Sequence, residues 1–441
     1  MFDDFHRIQE LYRIYQSYPT ICIDSRQSVT NSLFFAVGRK DQKGHHNGNR
    51  FAAAAISSGK AAFAIINDPG LKEDFSDDPR FILVKDVEQT LQALASYHRK
   101  HIVTPILAIA GSNGKTTTKE LLSTCFSRSK KVFTTRGNLN NHLGVPLSLL
   151  SIQEDYDLII LEIGANHLNE TRFLSDLIAP DYGLVTNNGK DHIGEYGSVE
   201  NIVKANKELY DHLATTNKTA FVNQSNTELV QMASDVTHQI QYGVATSCQS
   251  TILDGTPLKI QLDLHGATHE ISTHLFGSFW IDSVLAVICI ADHFGLSIDD
   301  IREGLMNYQP EALRSQWVTW EGHQVLLDCY NANPTSMSAF LTAIYESNSS
   351  SPKHLILGEM KELGAYTEAE HETLINQIDF TFFSKVFLIG LAFESYKSNH
   401  SKIQWLPNID NFPSDSFLNS TEKGSIYVKG SRSNQLEKIF T

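Results

Sequence analysis

The stretch ILAIAGSNGKTTTKELL, residues 106–122, decides how this chain is interpreted. An apolar strand runs into a glycine-rich turn, a lysine and three threonines that open a helix. Such a turn directs backbone N–H groups and a helix N-terminus at one point, which favours phosphate binding. In this arrangement Lys115 reaches the terminal phosphates, and the Thr116 hydroxyl binds Mg²⁺. The sequence therefore predicts a nucleotide site on Gly111, Ser112, Asn113, Gly114, Lys115, Thr116 and Thr117.

The loop departs from the standard phosphate-binding pattern at one position. Ile109 stands where that pattern places its first glycine. A plain glycine turn between a strand and a helix is therefore the alternative interpretation.

Two further strands end in side chains that could hold a metal. YDLIILE ends in Glu162, where a neighbouring strand of such a sheet offers a carboxylate to Mg²⁺. YGLVTNNGKDHIG is another strand, followed by His192. Taken alone, Glu162 could be a capping or exposed glutamate, and His192 could be an ordinary surface group. Since Mg²⁺ prefers oxygen ligands, a histidine ligand needs a specific family to justify it.

Strands and helices alternate along most of the chain, which predicts an α/β fold with mainly parallel strands. Short alternating strands such as LKIQLDLHG interrupt this pattern. Near the N-terminus, SLFFAV and AAFAII are predicted to be short buried strands, and GRKDQKGHHNGN is predicted to be a polar loop between them. We predict three α/β domains, at residues 1–102, 103–311 and 312–441.

Composition excludes several classes of protein. The net charge of −14 opposes binding to a nucleic-acid backbone. No apolar run is long enough for a membrane helix, and the opening MFDDFHRIQE lacks signal-peptide features. The five scattered cysteines form no CxxC pair and are expected to be reduced. We expect a cytoplasmic protein that acts on small molecules.

At this point the sequence resembles the Mur ligases of bacterial cell-wall synthesis over nearly its whole length. The resemblance is carried by GSNGKTTTKE (111–120), RGNLNNHLGVPLSLL (136–150), EIGANHLNE (162–170), TNNGKDHIGEYGSVE (186–200), DCYNANPTSM (328–337), LGEMKELG (357–364) and VKGSR (428–432). The segment DSRQSVTNSLFFAV (24–37) is similar to the family's UDP-binding segment.

This resemblance implies an ATP-dependent amide ligase, a monomer using ATP and Mg²⁺. It would add D-alanyl-D-alanine to UDP-N-acetylmuramoyl-tripeptide through an acyl phosphate, forming a peptidoglycan precursor. The N-terminal domain would hold the UDP-sugar, the central domain would be a P-loop ATPase, and the C-terminal domain would be Rossmann-like. The motifs do not specify the diamino acid at the third position of the tripeptide.

The resemblance also implies roles for individual residues. The expected catalytic residues are Lys115, Glu162, His192 and Asn331. Thr116 and Glu162 would bind one Mg²⁺, and His192 would bind a second. Arg314 and Asp328 would contact the nucleotide. The expected substrate-binding residues are Ser25, Arg26, Asn138, Asn141, Lys429, Ser431 and Arg432.

Some positions depart from the family pattern. Asn206 stands where relatives carry a carbamoylated lysine. Either the helix is shifted so that Lys204 or Lys207 takes the place of that lysine, or this protein holds its metal without a carbamate. Ala312 and Leu313 replace an asparagine pair. Two alternatives stay open: another Mur-type or folylpolyglutamate-type amide ligase, and a nucleotide-binding relative without catalysis.

Overall fold

The computed structural model describes residues 4–26, 30–41, 44–244, 250–311, 313–347, 351–420 and 422–440. The chain forms two compact units. The first comprises Met1–Ala108, Val132–Gly164 and Arg172–Asp181, and the second comprises Ile109–Lys131, Ala165–Thr171 and Tyr182–Thr441. The boundaries of the three predicted domains remain predictions.

The α-helices of the described residues are α1 Asp4–Ser17, α2 Ala52–Ser57, α3 Pro69–Asp74, α4 Val87–Arg99, α5 Lys115–Phe126, α6 Gly144–Leu150, α7 Glu170–Ile178, α8 Ile193–Tyr196, α9 Val199–Thr216, α10 Thr227–Met232, α11 Ile281–His293, α12 Ile298–Asn307, α13 Pro334–Glu346, α14 Thr367–Asn376 and α15 Ser414–Ser420. The strands are β1 Thr20–Cys22, β2 Ser32–Phe35, β3 Arg39–Asp41, β4 Gly44–His46, β5 Ala61–Ile66, β6 Phe81–Leu83, β7 Ile106–Ala110, β8 Val132–Thr134, β9 Leu158–Glu162, β10 Tyr182–Val185, β11 Thr219–Asn223, β12 His238–Tyr242, β13 Ser250–Gly255, β14 Leu258–Leu264, β15 Ala267–Ser272, β16 Gln316–Trp320, β17 His323–Asp328, β18 Lys353–Gly358, β19 Lys385–Ile389, β20 Ile403–Leu406 and β21 Ser425–Lys429.

The first unit contains a parallel four-stranded sheet in the order β1-β2-β5-β6. Its core is apolar and includes Phe34, Ala64 and Phe81. In the same unit β8 pairs in parallel with β9, which places Glu162 at the end of a fully buried strand. The predicted strands SLFFAV, AAFAII and YDLIILE are confirmed.

The structure corrects the sequence interpretation of the first unit twice. The polar loop contains a short antiparallel hairpin, β3 with β4, which its lack of alternating apolar residues did not indicate. Helix α1 was not predicted either, because only a few apolar positions mark its inner face. Tyr15 on that face is buried, and its hydroxyl donates to the carbonyl of Leu150 at 2.7 Å.

The second unit contains the parallel strands β10, β11 and β12 and the helices that follow them. Helix α9 is capped by Ser198, whose hydroxyl accepts from the amide of Asn201. It ends at Asn217 in the left-handed conformation, which asparagine tolerates well. The strand predicted from LKIQLDLHG is β14, and the structure adds that it lies between β13 and β15 in an antiparallel sheet.

A six-stranded sheet dominates the C-terminal part of the second unit, in the order β16-β17-β21-β18-β19-β20. All its pairs are parallel except β16 with β17. Alternate residues of β17 face opposite cores: Leu326 packs in the cluster of Phe340, whereas Val325 packs in that of Phe417. Helices on both faces explain the uninterrupted apolar strands of this region.

No helix among the described residues has the length and apolarity needed to cross a membrane. The four described cysteines, Cys22, Cys125, Cys289 and Cys329, form no disulfide bond, and Cys248 lies outside the described residues.

Candidate active site

The glycine-rich loop connects β7 to α5, as its sequence predicted. Gly111 has a φ of +119°, and a Cβ there would lie 2.2 Å from Oγ1 of Thr186. Only glycine therefore lets the loop pack against the end of β10. Gly114 is the N-cap of α5, in the left-handed conformation.

Asparagine side chains fix the shape of this loop. The amide of Ser112 donates to the carbonyl of Asn187 at 2.9 Å, and the amide of Asn113 donates to Oδ1 of Asn187 at 3.1 Å. From the C-terminal part of the unit, Nδ2 of Asn333 donates to Oδ1 of Asn113 at 2.8 Å. The amides of Ser112 and Asn113 thus donate to Asn187, whereas the first amides of α5 have no acceptor within the helix and can donate to a phosphate.

Lys115 and the threonines begin α5. Nζ of Lys115 donates to the carbonyl of Gly111, and to that of Ser112 at 3.1 Å, so the ammonium folds back onto its own loop. Thr116 and Thr117 are buried. The structure therefore gathers the lysine, a hydroxyl and a helix N-terminus at one point, as a phosphate site requires.

His192 follows β10 in the left-handed conformation, with a φ of 47°. Its Nδ1 lies 2.8 Å from Oε2 of Glu362. Burial by itself lowers the pKa of His192, but the Glu362 and Asp191 carboxylates outweigh it, and the pKa is raised. The Lys115 ammonium lowers that pKa to a smaller extent.

Two buried carboxylate oxygens fit a cation. Oε1 of Glu162 accepts from Nδ2 of Asn140 at 2.8 Å, but Oε2 accepts no hydrogen bond from any described residue. The same holds for Oδ1 of buried Asp191. A buried carboxylate needs a countercharge, and Mg²⁺ supplies one.

The described residues contain no cluster of three His, Cys, Asp or Glu side chains suited to a metal. This does not disagree with a magnesium site, because Mg²⁺ binds through one or two carboxylates together with phosphates and waters. That Thr116, Glu162 and His192 meet at one site remains a prediction.

The predicted nucleotide residues of the C-terminal part each contact a neighbouring side chain. The guanidinium of Arg314 stacks over the ring of Tyr330 at 3.7 Å. Nζ of buried Lys429 lies 2.5 Å from Oδ2 of Asp328 and 3.4 Å from the carbonyl of Asn331. Lys429 therefore neutralises Asp328 and orders the end of β17.

Two residues of the C-terminal motif differ in their surroundings. The hydroxyl of buried Ser431 accepts from the amide of Lys361 at 3.0 Å. Arg432 is exposed and pairs with Glu437.

The predicted substrate residues of the first unit are mostly at its surface. Arg26 is 83% exposed and pairs with Asp24 at 2.7 Å, while Ser25 is half-buried. Asn138 and Asn141 are exposed. Oδ1 of Asn141 accepts from the amide of Gly144, the first residue of α6, at 2.9 Å.

The two lysines of α9 that flank Asn206 differ in their surroundings. Lys204 is exposed, and Nζ of Lys207 pairs with Asp211. Nδ2 of buried Asn206 donates to Oδ1 of Asn188 at 2.8 Å. Ala312 lies outside the described residues, and Leu313 has a φ of 65°.

Sequence reasoning missed four residues of this region: Asn140, Asn187, Asn333 and Glu362. All four lie within the motifs that carried the family resemblance, so their positions were visible in the sequence. Their contacts join segments far apart in the chain, which no spacing rule reveals.

Comparison with known proteins agrees with this geometry. A model of the Mur ligase middle domain matches residues 109–291, and one of the Mur ligase glutamate ligase domain matches 313–430. The UDP-N-acetylmuramoyl-tripeptide–D-alanyl-D-alanine ligase of Synechocystis is 32% identical over 80% of this chain and 75% of its own length. The ligase of the same name from Borreliella burgdorferi is 29% identical, over 95% of this chain and 92% of its own.

Solved structures confirm the fold. The crystal structure of MurF from Acinetobacter baumannii matches with a TM-score of 0.83 and 24% identity, over 97% of this chain and 96% of that one. On these grounds the chain belongs to the Mur ligase family.

Proposed function

We propose that this protein adds D-alanyl-D-alanine to UDP-N-acetylmuramoyl-tripeptide, using ATP and Mg²⁺ and forming a peptidoglycan precursor. The observation that carries the proposal is the loop of Lys115, braced by Asn187 on one side and by Asn333 on the other. The proposed function also agrees with the names of two relatives that match along most of their length.

The first chemical step needs a charged site. A carboxylate oxygen of the tripeptide attacks the γ-phosphorus of ATP, the bond to the β–γ bridging oxygen breaks, and ADP leaves. Both partners are anions, so cations must offset their repulsion. Lys115 and the first amides of α5 supply positive charge at the phosphates.

The second step joins the dipeptide. Its amine attacks the acyl-phosphate carbonyl, the nitrogen loses a proton, and inorganic phosphate leaves from the tetrahedral intermediate. Asn331 and Arg314 are proposed to contact the dipeptide and the nucleotide, and Ser25 and Arg26 to contact the UDP end. Correct placement of two bound reactants contributes several kcal/mol to such a reaction.

Magnesium, when bound, offsets the charge of the triphosphate. Thr116 and Glu162 are the proposed ligands of one ion, and His192 of a second. The buried, unpartnered Oε2 of Glu162 supports this assignment.

The proposal also includes a monomer in the cytoplasm, where ATP and UDP-linked precursors are available.

Omission of single substrates tests the function. The protein is incubated with ATP, Mg²⁺, the UDP-tripeptide and D-alanyl-D-alanine, and phosphate release is measured with each component left out in turn. We expect release only with all four components. Release without the dipeptide, or with glutamate in its place, would indicate a different amide ligase, and no release under any condition would indicate an inactive relative.

A further inference from the structure

The C-terminal sheet carries a cavity of about 380 Å³ at the amino ends of two of its parallel strands. It is called the lysine cavity here, because Lys353, the first residue of β18, and Lys402, directly before β20, both line it. The proposed nucleotide residue Asp328 and its partner Lys429 instead end their strands, β17 and β21, at the opposite edge of the sheet. The lysine cavity is therefore separate from the site described above.

Lys353 is a buried cation, with only 6% of the residue exposed. Its Nζ donates to the carbonyls of Ile344 at 3.2 Å and Ser347 at 3.0 Å, at the end of α13, where helix carbonyls lack partners within the helix. An ammonium has three N–H donors, so one remains after these two bonds. Burial lowers the pKa of Lys353, and no carboxylate in the described part of the chain offsets that effect.

Lys402 brings a second ammonium to the same cavity. Its Nζ donates to the carbonyls of Phe380 and Phe383, both at 2.7 Å, and it too keeps one N–H. Hydrogen bonds from Thr381 lower the pKa of Asp379, and the charge of Lys402 lowers it slightly further, but the Asp379 carboxylate accepts from Thr381. Within the described residues, neither lysine of the cavity forms an ion pair with a carboxylate.

This arrangement is unfavourable unless an anion joins it. Two like charges on one cavity repel each other, and a buried ammonium without a countercharge costs free energy. An oxyanion removes both costs, since it accepts charge-assisted hydrogen bonds from both ammonium groups. Ser384 and Phe382 complete the walls, with the Phe382 ring 5.6 Å from Nζ of Lys353.

We propose that the lysine cavity binds a small molecule through an oxyanion, a phosphate or a carboxylate group, held between the ammonium groups of Lys353 and Lys402. The volume of the cavity leaves space for a small organic moiety beside the Phe382 ring. The site does not depend on the proposed function, because none of its residues belongs to the nucleotide or substrate sites. Completion of the nearby carbonyls explains two hydrogen bonds of each lysine but not the meeting of both lysines at one cavity.

The first test measures the binding of inorganic phosphate by isothermal titration calorimetry at constant ionic strength. The titrations use Lys115→Ala protein, so that the glycine-rich loop contributes little to binding. We expect Lys402→Gln to raise Kd about tenfold or more, the effect of losing a hydrogen bond from a charged group. The control Lys397→Gln removes the charge of an exposed lysine that pairs with Glu394, and it should change Kd by less than about twofold.

The second test places a permanent carboxylate at the cavity. Ser384 is exposed there, and its amide donates to the carbonyl of Lys353 at 2.8 Å. Ser384→Asp should take the place of the anion. Phosphate binding should then weaken about tenfold or more, and the melting temperature without phosphate should rise. Ser384→Asn has the same shape without the charge and should show neither effect.

Titrations with acetate and chloride identify the class of anion. Binding of phosphate, acetate or both, weakened by Lys402→Gln, supports the proposal and names the group that is recognised. Four outcomes would overturn it: no binding of either oxyanion, equal affinities in Lys402→Gln and Lys397→Gln, chloride binding as tightly as phosphate and acetate, or unweakened phosphate binding in Ser384→Asp. Failure of the proposed function is distinguishable, because turnover with D-alanyl-D-alanine enters none of these measurements.

Discussion

At the scale of single residues, asparagine side chains form several of the hydrogen bonds that hold this site together. Asn333 shows how one side chain serves two purposes. Its Oδ1 accepts from the amide of Ser336 at 2.9 Å and caps α13, while its Nδ2 donates to Asn113 in the glycine-rich loop. Substitutions that separate these two contacts test the role of each.

Asn333→Ser should keep the helix cap but lose the contact with the loop, since serine is too short to reach Asn113. Asn333→Ala should lose both. We expect KM for ATP to rise about three- to tenfold in both variants, the effect of one lost hydrogen bond. Only Asn333→Ala should also lose about 1 kcal/mol of unfolding free energy. Steady-state kinetics and urea unfolding measure the two effects, and an unchanged KM in both variants would contradict the role in the loop.

Glu162→Gln tests the buried carboxylate. We expect kcat to fall more than about a hundredfold, because replacing even a residue that only orients a ligand costs about ten- to a hundredfold. Without Mg²⁺, the melting temperature should stay the same or rise, since a buried and partly unpartnered charge is removed. Phosphate release and thermal unfolding give the answer, and a large drop in the melting temperature would show that the carboxylate has a stabilising partner instead.

At the scale of elements, the C-terminal sheet buries two neighbouring histidines near the starts of β17 and β18. His323 and His354 are almost fully buried, with ring centroids 5.9 Å apart. Burial lowers the pKa of both, and for His354 the neighbouring His323 and Lys385 lower it further. The native strands therefore favour neutral imidazoles.

This sets the direction of the pH dependence of stability. The unfolded chain binds protons near the ordinary histidine value of 6.5 while the folded chain does not, so stability should fall as the pH drops below that value. We expect His354→Leu to reduce the slope of melting temperature against pH between about pH 5 and 7. A steeper slope in His354→Leu would show that this histidine is protonated in the native state.

At the scale of the whole molecule, a net-acidic chain is proposed to bind polyanionic substrates. The net charge of −14 gives no long-range attraction to them, so local groups must supply the binding free energy. A ligand that binds only the folded state raises the free energy of unfolding, and the increase grows with the ratio of the ligand concentration to Kd.

ADP with Mg²⁺ should raise the unfolding free energy by about 2.7 kcal/mol at a concentration about 100 times Kd. Lys115→Ala should lose most of this increase and all turnover, while its unfolding free energy without ligand stays near that of the wild type. Denaturant unfolding with and without ADP measures both. Full stabilisation of Lys115→Ala by ADP would show that the lysine does not contact the nucleotide.

The sequence by itself determined the α/β alternation, the position of the glycine-rich loop, most strands of both units and the family. These features depend on local chemistry: apolar runs, caps such as Ser198, and glycine where a side chain would clash. Only the tertiary structure decided which distant side chains contact one another at the site, such as Asn333 with Asn113 and Glu362 with His192. Those partners lie more than a hundred residues apart, and the packing of distant elements, which no local pattern encodes, brings them together.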